Sequence, residues 1–215
     1  MNVVVNEENA LEEEPKVIRL YGDVDEDMVK HFNEEFQKVL SNKQDLCPIV
    51  IHSEGGNVWD AMHIVHALRD SPIRIATIVA GAAYSAGSLI FSCGDEGMRY
   101  MGKYASIMLH DIRVEGMDGK CTDIQNEARE MKRNNEMLFG VMSKNCGHPK
   151  KYFRDLVSKA EHVDVYLTAK EARKYNICNH IGIPTLVQHI THTLTLRRNR
   201  KRRRADEEDS DTGSL

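Results

Sequence analysis

Apolar runs of strand length alternate with stretches of helical spacing along the first half of the chain. The strand-like runs are Val17–Tyr21, Ile49–His52, Ile73–Ala80 and Ser106–His110. The stretches with apolar residues every three or four positions are Glu26–Leu40, Asn57–Asp70 and Ser85–Ser92. This alternation predicts an α/β fold in which right-handed crossovers build a parallel sheet. Ser53–Gly56 and Gly81–Gly87 then form loops at the carboxyl ends of two strands, where such folds place their sites.

The pattern changes after His110. A glycine-bearing segment, Ile112–Cys121, leads into Thr122–Cys146, a charged stretch whose apolar residues keep helical spacing. We expect one long helix that projects as an arm. Two shorter helices are predicted, over Lys151–Ser158 and from the N-cap Thr168, with Glu171 completing a capping box, to about Tyr175.

We expect one domain, residues 16–196, between two segments of different composition. Residues 1–15 are acidic and are predicted to be flexible. In the tail, seven of the eight residues 197–204 are basic and five of the six residues 206–211 are acidic. This composition predicts a disordered tail, residues 197–215. Nucleic-acid binding is not expected, because the acidic run offsets the basic one and no aromatic residue is interleaved to stack on bases.

Composition and charge indicate an ordinary globular protein. The chain of 215 residues is 41% hydrophobic and 29% charged, with a net charge of −4. No stretch approaches the roughly 18 to 20 apolar residues that cross a bilayer, and the acidic N-terminus is unlike a signal peptide. The five cysteines are odd in number and form no CxxC pair. We therefore expect reduced thiols, a cytoplasmic protein, and neither a metal nor a cofactor.

One serine, Ser85, lies at a predicted strand-to-helix junction inside the small-residue segment Gly81–Gly87. A helix that starts just after it offers free backbone N–H groups to a developing oxyanion, and small residues let a substrate approach. Taken alone, such a segment is more often a close-packed turn than a catalytic site. A catalytic serine also needs a base within hydrogen-bond reach.

Among the ten histidines, His110 is the candidate for that base, because it ends a predicted strand and so reaches the same sheet edge as Ser85. The others have structural explanations, since imidazole is common at partly buried surfaces. His189 and His192 have a spacing that also suits a metal.

The motifs and their spacing resemble the proteolytic subunit of the Clp protease over about Val17–Gly182. The matching phrases are Ser53-Glu54-Gly55-Gly56, Gly81–Gly87, Arg99-Tyr100 and Ile107–His110. The resemblance implies the ClpP/crotonase-like fold of repeated β-β-α and βαβ units, with a protruding helical handle at about 122–146. It implies a serine endopeptidase in which Ser85 is the nucleophile and His110 its base.

The resemblance also assigns the remaining site residues. The orienting acid is Asp164, one residue ahead of Val165 and the family-like phrase Tyr166–Ala172. Asp111 is a rival by adjacency to the histidine, but neighbours on a strand point to opposite faces. The implied oxyanion donors are the backbone N–H groups of Gly56 and Ala86. Gly116 and Gly119 lie where the family pairs a strand with an extended substrate.

Four departures from the family's pattern change the lining of the pocket but remove no catalytic group. They are Glu54 for the usual proline, Tyr84 for a small residue, Ala86 for methionine, and Asp111-Ile112 for Gln-Pro. The resemblance further implies heptameric rings that stack in pairs as a tetradecamer, polypeptide substrates, and an AAA+ ATPase unfoldase. Residues 1–14 do not resemble the loops that contact that ATPase.

Three alternatives remain open. The chain could be a catalytically weak or structural ring subunit. A signal-peptide-peptidase-like protease shares the Gly-Gly turn and the serine but uses a lysine base and a membrane. A crotonase-like acyl-CoA enzyme shares the architecture but has no use for a serine, a histidine and an aspartate together.

Overall fold

Strands and helices alternate along the computed structural model, which describes residues 14–113, 116, 118–161 and 163–187. The elements are β1 (Ile18–Val24), α1 (Glu26–Ser41), β2 (Leu46–Gly56), α2 (Val58–Arg69), β3 (Arg74–Tyr84), α3 (Ala86–Phe91), β4 (Arg99–Met101), β5 (Ser106–Leu109), α4 (Cys121–Asn145), α5 (Tyr152–Lys159), β6 (Val165–Thr168), α6 (Ala169–Lys174) and β7 (His180–Ile181). The described residues up to Thr185 belong to one compact unit. No helix in the described ranges is long and apolar enough to cross a bilayer.

The sheet has a parallel main path in the order β1-β2-β3-β4-β7. β3 changes partner along one edge: Thr77–Val79 pair with β4, whereas Ala82–Tyr84 pair with β5. β6 then lies antiparallel to β5. The predicted α/β class and parallel sheet are confirmed, and the antiparallel strand β6 is an addition that the periodicity did not indicate.

Two predicted loops are wrong, because strand pairing continues through them. β2 extends through Ser53–Gly56, where Asp23 pairs with Gly55 and Val24 pairs with Gly56. β3 extends through Gly81 to Tyr84, where Ser53 pairs with Ala83. Main-chain pairing on both sides outweighs the turn preference of the glycines. Ser85 therefore follows a strand directly, with no intervening loop.

The helices begin at recognisable caps. Asp25 accepts a hydrogen bond from the Met28 N–H at the start of α1, and Asn57 accepts from Trp59 and Asp60 at the start of α2. The predicted capping box of Thr168 and Glu171 is present at α6. Local sequence signals therefore determine where these helices start.

Helix α4 differs along its length. Its first ten residues, 121–130, are all exposed, whereas Phe139, Met142 and Ser143 in the second half are buried. Its 25 residues extend about 37 Å at 1.5 Å per residue. The helix lies within one residue of the range predicted for the arm. Its use as a handle between rings concerns an assembly and stays a prediction.

A buried arginine, Arg99, joins distant parts of the chain. Its side chain is 1% exposed. Among the described residues, it donates hydrogen bonds only to main-chain carbonyls. The acceptors are the carbonyls of Gly94, Asn145, Asn176 and Ile177, at 2.9, 3.3, 3.1 and 2.9 Å. These carbonyls lie at or just beyond the C-terminal ends of α3, α4 and α6. The negative ends of three helix dipoles thus face one buried guanidinium.

The five cysteines are free, and four of them are buried. Burial raises the pKa of the Cys47, Cys93 and Cys146 thiols to about 12 and that of Cys178 to about 11. Cys121 lies exposed at the start of α4. Because the thiolate is the reactive form, we expect these four buried thiols to react slowly in the folded protein.

Replacement of Arg99 tests its role as a cross-link. Arg99→Met leaves four carbonyls without their donor, and each buried unsatisfied group costs about 1–3 kcal/mol. We expect the free energy of unfolding to fall by at least about 3 kcal/mol in urea denaturation. Arg19→Met, at an exposed position, is the matched control and should change it by less than about 0.5 kcal/mol. Equal stability of the two variants would contradict the assignment.

Alkylation tests the cysteine environments. With iodoacetamide at pH 8, Cys121 is expected to react in the native protein while the four buried thiols stay protonated and protected. In denaturant all five should react, as read by mass spectrometry of tryptic peptides. Native-state modification of Cys93 at the rate of Cys121 would refute the burial described above.

Candidate active site

Strand register brings the three predicted catalytic residues to one edge of the sheet. β3 lies parallel to β5, with Tyr84 beside Met108, and each strand is followed by a candidate, Ser85 or His110. β5 and β6 are antiparallel, and their last pair is Leu109 with Val165. One further step along this ladder sets His110 opposite Asp164. An antiparallel strand begins at the edge where its neighbour ends. Asp164, just before β6, therefore lies at the same edge as His110, just after β5.

Ser85 has an unusual backbone conformation. Its φ of 50° and ψ of −118° lie in a region that residues other than glycine rarely adopt, at a cost of about 1–3 kcal/mol. Its N–H donates to the Met108 carbonyl at 2.9 Å, and its own carbonyl accepts from Ser88 and Leu89 in α3. These bonds hold a strand that turns directly into a helix.

The Ser85 hydroxyl lies against the imidazole of His110. Ser85 Oγ and His110 Nε2 are 2.7 Å apart, a normal hydrogen-bond distance for these atoms. In the neutral tautomer with its proton on Nδ1, Nε2 accepts this bond and the hydroxyl donates it. The serine and its predicted base are thus in direct contact.

Asp164 lies near His110 but less tightly. Its Oδ1 is 3.8 Å from His110 Nδ1, which is within ion-pair range but longer than a hydrogen bond. The Asp164 side chain is 51% exposed, and that of His110 is 20% exposed. The structure therefore brings the predicted acid beside the base without a direct hydrogen bond.

Gly55 lets β2 approach the serine. A Cβ on this residue would lie 2.8 Å from Ser85 Cβ and 3.0 Å from the Tyr84 carbonyl oxygen, and its φ is 106°. No other residue fits both the conformation and the space. Gly55 was not predicted as a site residue, although the doubled glycine in the sequence was a signal for such an approach. The neighbouring Gly56 lines the same cavity as Ser85 and Ala86.

The two residues predicted to supply the oxyanion donors come from different elements. Gly56 ends β2, and Ala86 is the first residue of α3. The N–H of a first helical residue has no acceptor within its own helix. Both residues line the cavity in which the Ser85 hydroxyl and His110 meet, and their role as oxyanion donors stays a prediction.

A cavity of about 350 Å³ opens beside Ser85 and His110. Charged side chains, those of Glu54, Arg113 and Asp164, are among the lining residues. Much of its wall is apolar, and the apolar residues that line it include Val58, Ala61, Leu89, Leu138, Phe139 and Met142. Volume and lining are those of a small-ligand or side-chain pocket.

The second half of α4 is part of this site, although the sequence pattern did not predict it. Leu138, Phe139 and Met142 line the cavity, and Asn135 Oδ1 accepts a hydrogen bond from the Ile112 N–H at 2.8 Å. That bond fixes the chain two residues after His110. The helical spacing of Leu138 and Met142 predicted that one side of the helix is buried, but not that this side lines the cavity.

The two glycines predicted to pair with substrate are not in a strand. Gly116 and Gly119 are exposed, and the described residues around them have no regular structure. Val114, Glu115 and Met117 lie outside the described residues, as do His189, His192, residues 1–13 and the tail 197–215. Within the described part of the chain, no cluster of three or more His, Cys, Asp or Glu residues is arranged to hold a metal ion.

Comparison with protein families agrees with this geometry. The family model described as Clp protease matches residues 4–184, which is most of the chain and includes every residue of the site. Members of that family are in general serine peptidases that act in protein degradation. The chain belongs to the Clp protease family.

Proposed function

We propose that this protein is a serine endopeptidase of the Clp type that hydrolyses peptide bonds in unfolded polypeptides. The observation that carries the proposal is the 2.7 Å contact between Ser85 Oγ and His110 Nε2 at a strained strand-to-helix junction. Strained backbone at a nucleophile is typical of functional sites. Family membership supports a peptidase in general.

In the proposed reaction, Ser85 Oγ attacks the carbonyl carbon of the scissile peptide bond. His110 Nε2 takes the hydroxyl proton, and the carbonyl oxygen becomes an oxyanion that the N–H groups of Gly56 and Ala86 stabilise. The same proton then passes to the leaving amine as the C–N bond breaks, leaving an acyl group on Ser85. Water, deprotonated by His110, releases that acyl group and restores the serine.

Asp164 has the role of orienting His110 and stabilising the imidazolium. At 3.8 Å its carboxylate is just outside hydrogen-bond distance of Nδ1. Catalytic hydrogen bonds are often long before substrate binds and shorten in the complex, so this distance is compatible with the role. A movement of less than about 1 Å suffices to form the bond.

Substrate recognition is proposed to rest mainly on the main chain. An extended peptide would pair with the segment that contains Gly116 and Gly119, with one side chain entering the 350 Å³ cavity. The apolar wall of that cavity supports a substrate side chain that is itself apolar.

We also propose that the active form is a homo-oligomer of two stacked seven-membered rings, a tetradecamer enclosing the sites, fed by an AAA+ ATPase unfoldase. Family members generally form rings and work with Clp ATPases. The exposed first half of α4, with Ile124 38% exposed, supports a contact between subunits there. The five free thiols support a reducing compartment, the cytoplasm.

A catalytically weak or structural ring subunit is the second candidate. The observation that favours it is the missing hydrogen bond between His110 and Asp164, because a base without its orienting group loses much of its efficiency. Reactivity of the serine separates the two candidates.

Labelling with a fluorophosphonate measures that reactivity. Ser85 Oγ should form a bond to phosphorus as fluoride leaves and His110 takes the proton. We expect Ser85→Ala to abolish labelling, His110→Ala to slow it at least about 100-fold, and Asp164→Asn to slow it less than His110→Ala. Ser158→Ala, at an exposed serine of α5, is the control and should label at the normal rate. If assembled wild-type protein gives no adduct on Ser85 while an active serine peptidase is labelled, the structural-subunit candidate replaces the enzyme.

Electron microscopy of the purified protein tests the assembly. We expect seven subunits in each ring and two rings in each particle. Ile124→Glu places a charge in the proposed contact of α4 and should yield single rings, whereas Glu127→Gln, on the same exposed half, should keep the double ring. Double rings in both variants would show that the first half of α4 does not join them.

A further inference from the structure

Two tyrosines beside the site are in direct ring contact. Tyr84 and Tyr166 have ring centroids 5.5 Å apart and planes at 88°, an edge-to-face arrangement. This geometry is favoured because the positive edge of one ring meets the negative face of the other. Tyr84 immediately precedes Ser85, and Tyr166 follows Asp164 by two residues. The contact therefore connects the chain at the proposed nucleophile with the chain at the proposed acid.

Strand register explains how the contact forms. Tyr84 pairs with Met108 across β3 and β5, and Met108 pairs with Tyr166 across β5 and β6. The three residues form one row across three strands, with buried Met108 in the middle. Side chains at matched register lie on the same face, so two large rings can meet over the residue between them.

The contact gives β6 a second attachment. β6 is four residues long, and β5 is its only strand neighbour among the described elements. The Tyr84–Tyr166 contact reaches past β5 to β3, the strand that ends at Ser85. Tyr166 is 57% exposed, so burial alone does not fix its ring. The aromatic pair adds a restraint that the short ladder lacks.

The position of β6 decides the distance between Asp164 and His110. Asp164 lies one residue before β6, and its half-exposed side chain is 3.8 Å from His110 Nδ1. A shift of β6 by a fraction of an ångström therefore makes or breaks the hydrogen bond that orients the base. Misplacement by about 1 Å is enough to lower a reaction rate by as much as 100-fold.

We propose that Tyr84 and Tyr166 form an aromatic clasp that positions Asp164 against His110. The inference rests on the proposed function and adds to it two positioning residues that do not touch the reacting atoms. The clasp acts through the rings and not through the Tyr166 hydroxyl, so phenylalanine at that position serves equally.

The kinetics of Ser85 labelling by a fluorophosphonate test the clasp, with the maximal rate constant and the inhibitor constant measured separately. We expect Tyr166→Ala to lower the maximal rate constant about tenfold and to change the inhibitor constant less than twofold, because the base loses its orienting carboxylate while the apolar wall of the cavity is unchanged. Tyr166→Phe should restore the wild-type rate constant. Tyr104→Ala removes a tyrosine that is 90% exposed and should have no effect.

A double substitution tests whether the two rings act together. If they form one clasp, Tyr84→Ala combined with Tyr166→Ala should slow labelling no more than the more damaging single variant does. Independent, multiplying effects would overturn the clasp, as would a wild-type rate constant in Tyr166→Ala or a slow one in Tyr166→Phe.

Histidine NMR separates the clasp from the proposed function. The ring resonances of His110 report its surroundings without requiring turnover, and they should change in Tyr166→Ala but not in Tyr166→Phe. If wild-type Ser85 is not labelled, the proposed function fails. The His110 resonances alone then show whether the two tyrosines position Asp164 against His110. Resonances that are the same in all three proteins would overturn it.

Discussion

The buried guanidinium of Arg99 is the interaction on which the arrangement of the site depends. It donates to carbonyls at the C-terminal ends of three helices, α3, α4 and α6. Each of these helices is attached to a part of the site: α3 begins beside Ser85, α4 lines the cavity, and α6 follows the strand that starts after Asp164. A charge so deeply buried is tolerated because oriented carbonyl dipoles surround it. One side chain thus fixes the C-terminal ends of three helices that are all attached to the site.

Much of this arrangement is predictable from the sequence, and the reasons for the misses are physical. Hydrophobic periodicity locates the alternating elements, and Thr168 with Glu171 locates a helix start, because both are local signals. The extension of β3 through Gly81 depends on partner strands, and so does the antiparallel direction of β6. Pairing between segments distant in sequence leaves no trace in a short window.

The candidate site shows the same division between local and distant causes. Ser85 and His110 each end an apolar run, so their common sheet edge follows from the pattern. Asp164 was assigned only through the family resemblance, and the structure accounts for its place by a ladder register that the sequence alone does not contain. The closeness of Gly55 to Ser85 and the hydrogen bond of Asn135 to Ile112 are tertiary facts of the same kind. The sequence therefore predicted the catalytic residue types at the ends of strands, but it did not predict the distances and contacts between residues that are far apart along the chain.

The pairing of β5 with the end of β3 has a consequence for how base and nucleophile are held together. His110 and Asp164 lie in the stretch of about 80 residues between β4 and β7, far along the chain from Gly56. That stretch returns to the sheet through β5, whose Ser106–Met108 pair with Ala82–Tyr84 of β3. The nucleophile and its base therefore follow two strands that are hydrogen-bonded to each other. Moving one away from the other would break strand pairs, so their spacing is as durable as the sheet.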